Sequence, residues 1–238
     1  MQASDQDVVF QMHEQPAIAV TSPVALAQLS SEAQWDVVNG MRMAVAFADH
    51  GIEQARKQIA GVVDISCLSR FGVKGPQAAR WLAERGVAIP ASINSWTLCH
   101  QSSVVLRLGS SEFLIEDPLS GNVCQTLTQH SQREVGVYFV PRADAAFALC
   151  GSAVMNVLSE LCPLDLREAV MPPHVVIMTQ IAGISATVWR QQVNGEAVFR
   201  VVCDGTYGPD MWAMLVEIAT ELGGGAVGLA CCHSALQA

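Results

Sequence analysis

Two segments of this chain, 76 residues apart, follow one pattern. "FGVKGPQAARWL" (71–82) and "FALCGSAVMNVL" (147–158) each place a Phe four residues before a Gly. In each, an apolar helical stretch then ends in Leu seven residues after that Gly. Glycine supplies the left-handed backbone that a sharp strand-to-helix turn demands. The first copy is followed by "SVVLRLG", a short polar turn and "EFLIED"; the second by "HVVIMTQ", "ATVWRQ" and "AVFRVVC", all of strand composition. The chain therefore reads as a duplicated β-α-β-β unit, about 62–117 and 137–203. Two such units predict an α+β fold of antiparallel sheets with helices on one face.

Around this repeat, residues 1–30 lack periodicity and read as an extended arm. Ser31-Glu32-Ala33-Gln34 fits a capping box. Trp35, Val38, Met41, Val45 and Ala48 follow at helical spacing, which predicts a helix stopped by His50-Gly51. A shorter helix is expected over Ile52–Ile59. Gly75-Pro76 opens the helix of the first repeat, and Gly86 closes it. The last helix starts near Gly208-Pro209-Asp210 and carries Trp212, Leu215, Ile218, Ala219 and Leu222 on its apolar face. Gly223–Gly225 ends that helix, so the expected organisation is an arm (1–30), one domain (31–225) and a loop-like tail (226–238).

Composition narrows the function classes. Apolar residues make up 51% and charged residues 15%, against about 25% charged in an average soluble domain. No apolar run reaches the roughly 18 residues of a membrane span, so the chain reads as globular, with apolar surface available to partners. The net charge of −9 and the lack of a basic cluster argue against nucleic acid. The stretch "MQASDQDVVFQMHEQP" is no signal peptide, which points to the cytoplasm. None of the eight cysteines forms a C-x-x-C pair, as expected of buried thiols in a reducing compartment. Cys231, Cys232 and His233 lack the spacing of a zinc site, so no metal is expected. No G-x-G-x-x-G occurs, so no dinucleotide site is visible.

The densest run of chemistry-capable side chains is "VVDISCLSRFGVKGPQAARWL" (62–82), with Asp64, Ser66, Cys67, Ser69, Arg70 and Lys74. Short polar side chains at a strand end commonly satisfy backbone groups, and Asp64 and Ser66 read so. Cys67 reads as a core residue, since a nucleophilic thiol needs a neighbouring base or cation and Arg70 alone offers little. Lys74, before a Gly-Pro turn, reads as solvated. His50, His100, His130, His174 and His233 share no ligand spacing; His100 is either a loop residue or a substitute acid or base. Trp81, Trp96, Trp189 and Trp212 read as core or interface anchors.

The same stretch resembles the entry segment D-x-S-x-x-x-x-F-x-V-x-G-P-x-A of the glycine cleavage T-protein (aminomethyltransferase) superfamily. "LRLGSSEFLIED" resembles its R-L-G…F-L hairpin, and "RQQVNGEAVFRV" (190–201) its R-T-G-Y-T-G-E-x-G-F-E-I signature at Arg190, Gly195, Glu196, Phe199 and Val201. Within the superfamily, "LCGSAVMNVLSELCPLDLREAVMPPHVVIMTQIAGISATVWR" is most similar to the gamma subunit of heterotetrameric sarcosine oxidase. The resemblance covers roughly residues 35–222. It implies a T-protein-like fold without that family's C-terminal barrel domain.

The resemblance also implies a folate-like site with Glu196 and Arg190 as its residues. A carboxylate suits a pterin edge because it accepts two N–H bonds in a fork. The plain alternative for Glu196 is a turn acid beside Asn194-Gly195, a favoured hairpin turn. Gln101 and Ser102 stand where the family carries acids, and Val193 where it carries Tyr, so a proton-handling carboxylate is missing. Three roles follow. The first is a non-catalytic gamma-type subunit, with no catalytic residue, assembling with larger flavoprotein subunits that oxidise an N-methylated amine. Flavin, NAD and tetrahydrofolate would then sit in those partners, none on this chain alone. The second is a free-standing folate-binding aminomethyltransferase-like enzyme using His100 and Glu196. The third is a folate-like ligand sensor without chemistry.

Overall fold

The structure, a computed structural model, describes residues 20–29, 31–193 and 195–236, with backbone alone for Gln101 and 233–236. Val20–Thr21 (β1) and the helical turn Ala25–Gln28 (α1) are the described part of the expected arm, with Val24, Ala25 and Gln28 buried. Residues 1–19 and Ser30 lie outside the described residues.

The helix expected from Ser31 to Ala48 is a β-hairpin. Gln34–Val38 (β2) and Met41–Ala46 (β3) pair antiparallel, and β1 lies parallel to β3. Asn39 and Gly40 both hold positive φ, 50° and 75°. That is the two-residue turn whose twist matches paired strands, and Asn-Gly is its favoured sequence. His50-Gly51 correspondingly opens a helix, His50–Ala60 (α2), rather than closing one. Buried Glu53 reaches back from its first turn to accept the N–H groups of Phe47 (2.6 Å) and Ala48 (3.3 Å).

Two larger sheets follow. Gly61–Asp64 (β4) belongs to one; Arg70–Lys74 (β5) belongs to the other and runs into Ala78–Ala83 (α3). Next come Ser95–Leu98 (β6), Val104–Arg107 (β7), Glu112–Glu116 (β8), Val123–Gln129 (α4) and Tyr138–Val140 (β9). The second half holds Asp144–Cys150 (β10), Val154–Leu161 (α5), Val176–Ile181 (β11), Ile184–Val193 (β12), Glu196–Asp204 (β13), Gly208–Glu221 (α6) and Gly225–Ala226 (β14). The strand orders are β6-β7-β8-β5-β9 and β11-β12-β13-β10-β4-β14. Every neighbouring pair is antiparallel except β14 beside β4.

Strand alternation sorts side chains between two cores. From β7 and β8, Val105, Phe113 and Ile115 pack with Trp81 and Leu82 of α3 and Leu127 of α4. Val104, Leu106 and Leu114 join the main core with Phe147 of β10 and Trp189 of β12. Trp212 of α6 lies 6.3 Å from the Phe147 ring, placing that helix on the six-stranded sheet. This is the α+β arrangement of antiparallel sheets and covering helices expected from the sequence.

The two similar segments take one local shape. β5 leads through Gly75 (φ 121°) into α3, and β10 through Gly151 (φ 113°) towards α5. A Cβ on Gly151 would meet the Ile59 carbonyl at 2.6 Å, and one on Gly75 would collide with the Gly136 carbonyl. Both positions need glycine for conformation and for space. The tail differs from its expected loop form. After β14 it coils as a 3-10 segment, Leu229–Leu236, and buries Val227, Leu229, Cys231 and Cys232 in the main core.

Candidate functional site

The loop between β4 and β5 is a hydrogen-bonded brace. Asp64 is buried and accepts Ser22 Oγ (2.6 Å) on one oxygen, and Ser66 N (2.9 Å) and Ser66 Oγ (2.6 Å) on the other. Ser66 Oγ in turn accepts Ala146 N at 3.1 Å. Burial raises the Asp64 pKa above its ordinary value, against the pull of these donors and of Arg70. Arg70 holds Glu116 through Nε (2.8 Å) and Nη2 (2.6 Å), and donates to the carbonyls of Ile65, Ser66 and Leu68. Cys67 is buried, and desolvation pushes its thiol up to about 12. Lys74 is exposed. Asp64 and Ser66 thus satisfy backbone and hydroxyl groups, as the sequence suggested, and Cys67 lies in the core.

Glu196 opens β13 opposite Val193. It is exposed and lines a cleft of about 390 Å³ with Gln54, Lys57 and Gln58 of α2 and with Gly151 and Ser152 of the second glycine turn. No hydrogen bond or ion pair to another described residue engages its carboxylate. Lys57 in the same cleft adds a cation, so the site offers charge of both signs. Sequence reasoning passed over Lys57; its only signal was a basic residue on a helix leading into β4.

Arg190 sits elsewhere. It faces Phe199 across the β12–β13 hairpin, three positions from the Val193–Glu196 pair. With a side-chain period of two, Arg190 and Glu196 project from opposite faces of the sheet. Arg190 Nη1 lies 3.3 Å from Glu168. Val193 is buried, and Asn194 lies outside the described residues.

Residues His100–Ser102 form a 3-10 turn, with Ser102 at φ 60°. The acid next to this turn is Asp117, which the sequence reading did not single out. It is buried and fully engaged: Ser103 Oγ donates to it at 2.7 Å and Cys124 N at 2.8 Å. His100 lines a second cleft, with Arg85, Cys99 and His130 among its walls, sharing no residue with the Glu196 cleft.

A third buried charge lies near the Arg70–Glu116 pair. Arg200 of β13 is 3% exposed; its Nε donates to Gln191 at 3.1 Å and its Nη1 has no partner. Desolvation pulls its pKa below the ordinary arginine value. All eight cysteines are free, and seven are buried. Cys150 and Cys232 are neighbouring buried thiols, and their interaction, together with burial, raises the Cys232 pKa. Among the described residues no three His, Cys, Asp or Glu side chains gather as metal ligands. The His233 side chain lies outside them.

Comparisons with known proteins bear on this arrangement. Residues 92–236 match the family described as GCVT N-terminal domain. An aminomethyltransferase of Corynebacterium aurimucosum is 25% identical over 201 residues, 76% of this chain and 54% of that protein. The sarcosine oxidase subunit gamma of Corynebacterium sp. strain U-96 is 24% identical over 182 residues, 74% of this chain and 87% of that protein. The chain thus spans about half of the aminomethyltransferase and most of the gamma subunit. In fold it resembles the glycine cleavage system aminomethyltransferase T of Bartonella henselae, with TM-score 0.70 and 17% identity, over 92% of this chain and 62% of that one. It also resembles a chain of the heterotetrameric sarcosine oxidase of Corynebacterium sp. U-96, with TM-score 0.60 and 21% identity, over 75% and 94%.

Proposed function

Because the chain belongs to the GCVT N-terminal domain family, we propose that it is a non-catalytic, gamma-type subunit. Its complex is a flavin-dependent, sarcosine oxidase-like assembly that oxidises an N-methylated amine. One observation carries this reading: the positions that match the family's folate signature do not converge. Arg190 and Glu196 leave opposite faces of one hairpin, and the acid beside the 100–102 turn, Asp117, is spent on Ser103 and Cys124. General acid–base work needs a group within hydrogen-bond reach of substrate and free to exchange a proton. Similarity to a sarcosine oxidase gamma subunit supports the same role.

The role is assembly in the cytoplasm with larger flavoprotein subunits. Flavin, NAD and tetrahydrofolate belong to those partners, and the complex is an oxidase or a dehydrogenase. Exposed apolar side chains around β9, Val135 at 94% and Tyr138 at 58%, suit a surface that a partner covers. No helix among the described residues is long and apolar enough to cross a membrane. The test is co-expression with flavoprotein subunits encoded beside it. The chain should then elute as one complex carrying flavin, and should self-associate when made alone. A monodisperse monomer that ignores those subunits would refute the role.

A second reading, a free-standing folate-binding aminomethyltransferase-like enzyme, draws on one observation: Glu196 stands with Lys57 in an open cleft. Calorimetric titration of tetrahydrofolate separates the two. The subunit reading expects no measurable binding and no change with Glu196→Gln. The enzyme reading expects micromolar binding that falls about ten- to hundredfold with that change, the worth of one charge-assisted hydrogen bond.

A further inference from the structure

The cleft at His100 is separate from the Glu196 cleft. It encloses about 300 Å³ between the end of α3, the 99–100 turn and α4, within the lower size range of small-molecule sites. The chain carries 22 acidic residues and a net charge of −9. Yet among the described residues this cleft is lined by Arg85, His100 and His130 and by no carboxylate. Its remaining walls include the apolar side chains of Val87 and Leu127, both buried.

Arg85 and His130 are held in place. The Arg85 guanidinium lies 3.9 Å over the Trp81 ring and donates to the Trp81 carbonyl at 2.9 Å. Among the described residues its one ion-pair partner, Glu134, is 4.0 Å away and half exposed. His130 Nδ1 lies 2.7 Å from the Thr126 carbonyl. A carbonyl only accepts, so Nδ1 carries the proton and Nε2 is the free edge. The His100 ring reaches over Gly86, its Nε2 3.8 Å from where a Cβ would stand. The Cys99 thiol is raised by burial and by Asp117, which makes it a wall rather than a nucleophile.

We propose that this cleft binds a small organic anion, a carboxylate with a short aliphatic body. The carboxylate faces Arg85, the His130 imidazole donates to it through Nε2 only when its ring carries both protons, and the body packs on Val87 and Leu127. The inference does not rest on the folate or the subunit reading, because the two clefts share no residue.

The test is calorimetric titration of the full chain, alone or in its complex, with hexanoate, hexylammonium and inorganic phosphate. Ligand-observed saturation-transfer NMR, which tolerates any particle size, runs alongside. Hexanoate should saturate with a dissociation constant of about 1 mM or tighter. Hexylammonium should not bind, and phosphate, which cannot use the apolar wall, should bind at least about tenfold more weakly. Thr126→Phe fills the cleft from an exposed helical position; it should abolish hexanoate binding and leave the melting temperature unchanged. Arg85→Gln should weaken binding about tenfold or more. Absence of saturable hexanoate binding, equal binding of hexylammonium or phosphate, or full hexanoate binding by a folded Thr126→Phe would each overturn the proposal.

Discussion

Replacing Asp64 with Ala removes the acceptor for three donors: the hydroxyls of Ser22 and Ser66 and the N–H of Ser66. All three are buried, and each orphaned donor costs roughly 1–3 kcal/mol. The hydroxyls can turn elsewhere and the lost carboxylate no longer has to be desolvated, so the net cost should be about 3–5 kcal/mol. That is a large share of the roughly 5–15 kcal/mol that holds a domain, and corresponds to a fall in melting temperature of roughly 6–20 °C. Asp64→Asn should behave differently. Its Oδ1 still accepts both Ser66 donors, and its Nδ2, in place of the second oxygen, can donate to Ser22 Oγ. The Asn variant should therefore stay within about 1 kcal/mol of the parent. The pH dependence follows from the raised pKa of Asp64. Between its unfolded value near 3.8 and the higher folded value, the folded state holds the proton and the unfolded state does not. Stability from this residue is then present at low pH and lost as pH rises through the folded pKa. Asp64→Asn should flatten that slope. Urea unfolding followed by tryptophan fluorescence, repeated across the acid range, reads both effects. An Ala variant within about 1 kcal/mol of the parent, or an Asn variant as weak as the Ala variant, would refute the account.

Two further predictions concern buried charge and close approach. Arg70→Met leaves Glu116 buried without its partner and should cost about 3–5 kcal/mol, whereas Arg200→Met removes a buried cation whose Nη1 has no partner and should be near neutral or stabilising; equal losses in denaturant titrations would show that Arg200 is in fact compensated. Gly151→Ala meets both a φ of 113° and the Ile59 carbonyl and should cost more than about 2 kcal/mol. Gly183→Ala, at φ 77° with nothing within 4 Å, should cost only about 1–2 kcal/mol; a reversed order in thermal melts would sink the close-packing argument.

How much of this was legible beforehand depends on the range of the interaction. The strand-glycine-helix units were legible because Phe, Gly and Leu lie within twelve residues and each answers a local demand: a core contact, a left-handed turn, a buried helix face. The hairpin at 34–46 was misread as a helix because Ser31-Glu32-Ala33-Gln34 imitates a capping box and Trp35, Val38 and Met41 fit a three-residue step. Asn39-Gly40 was the stronger signal, since two successive positive-φ residues break a helix and close a hairpin. The tail gave no warning, because a three-residue period over so short a segment leaves little pattern and its burial comes from the core it meets.

The site divides along the same line. That Asp64 and Ser66 would satisfy backbone groups could be read from two residues of separation. The Arg70–Glu116 pair spans 46 positions and the Ser22–Asp64 bond 42, and no local pattern links such partners. Signature matching placed Arg190 and Glu196 in one motif, six positions apart. That even spacing suggests a shared face only along a continuous strand. Here the chain reverses between Val193 and Glu196, so register across the hairpin, not spacing along it, decides the face. A motif can thus survive in order while its side chains part, and the chemistry of a site follows the register rather than the letters. The same reversal leaves Glu196 in one cleft with Lys57, which a helix far away in sequence contributes. Charge at this cleft therefore comes from α2 and β13 together, and any ligand it takes must answer to both signs.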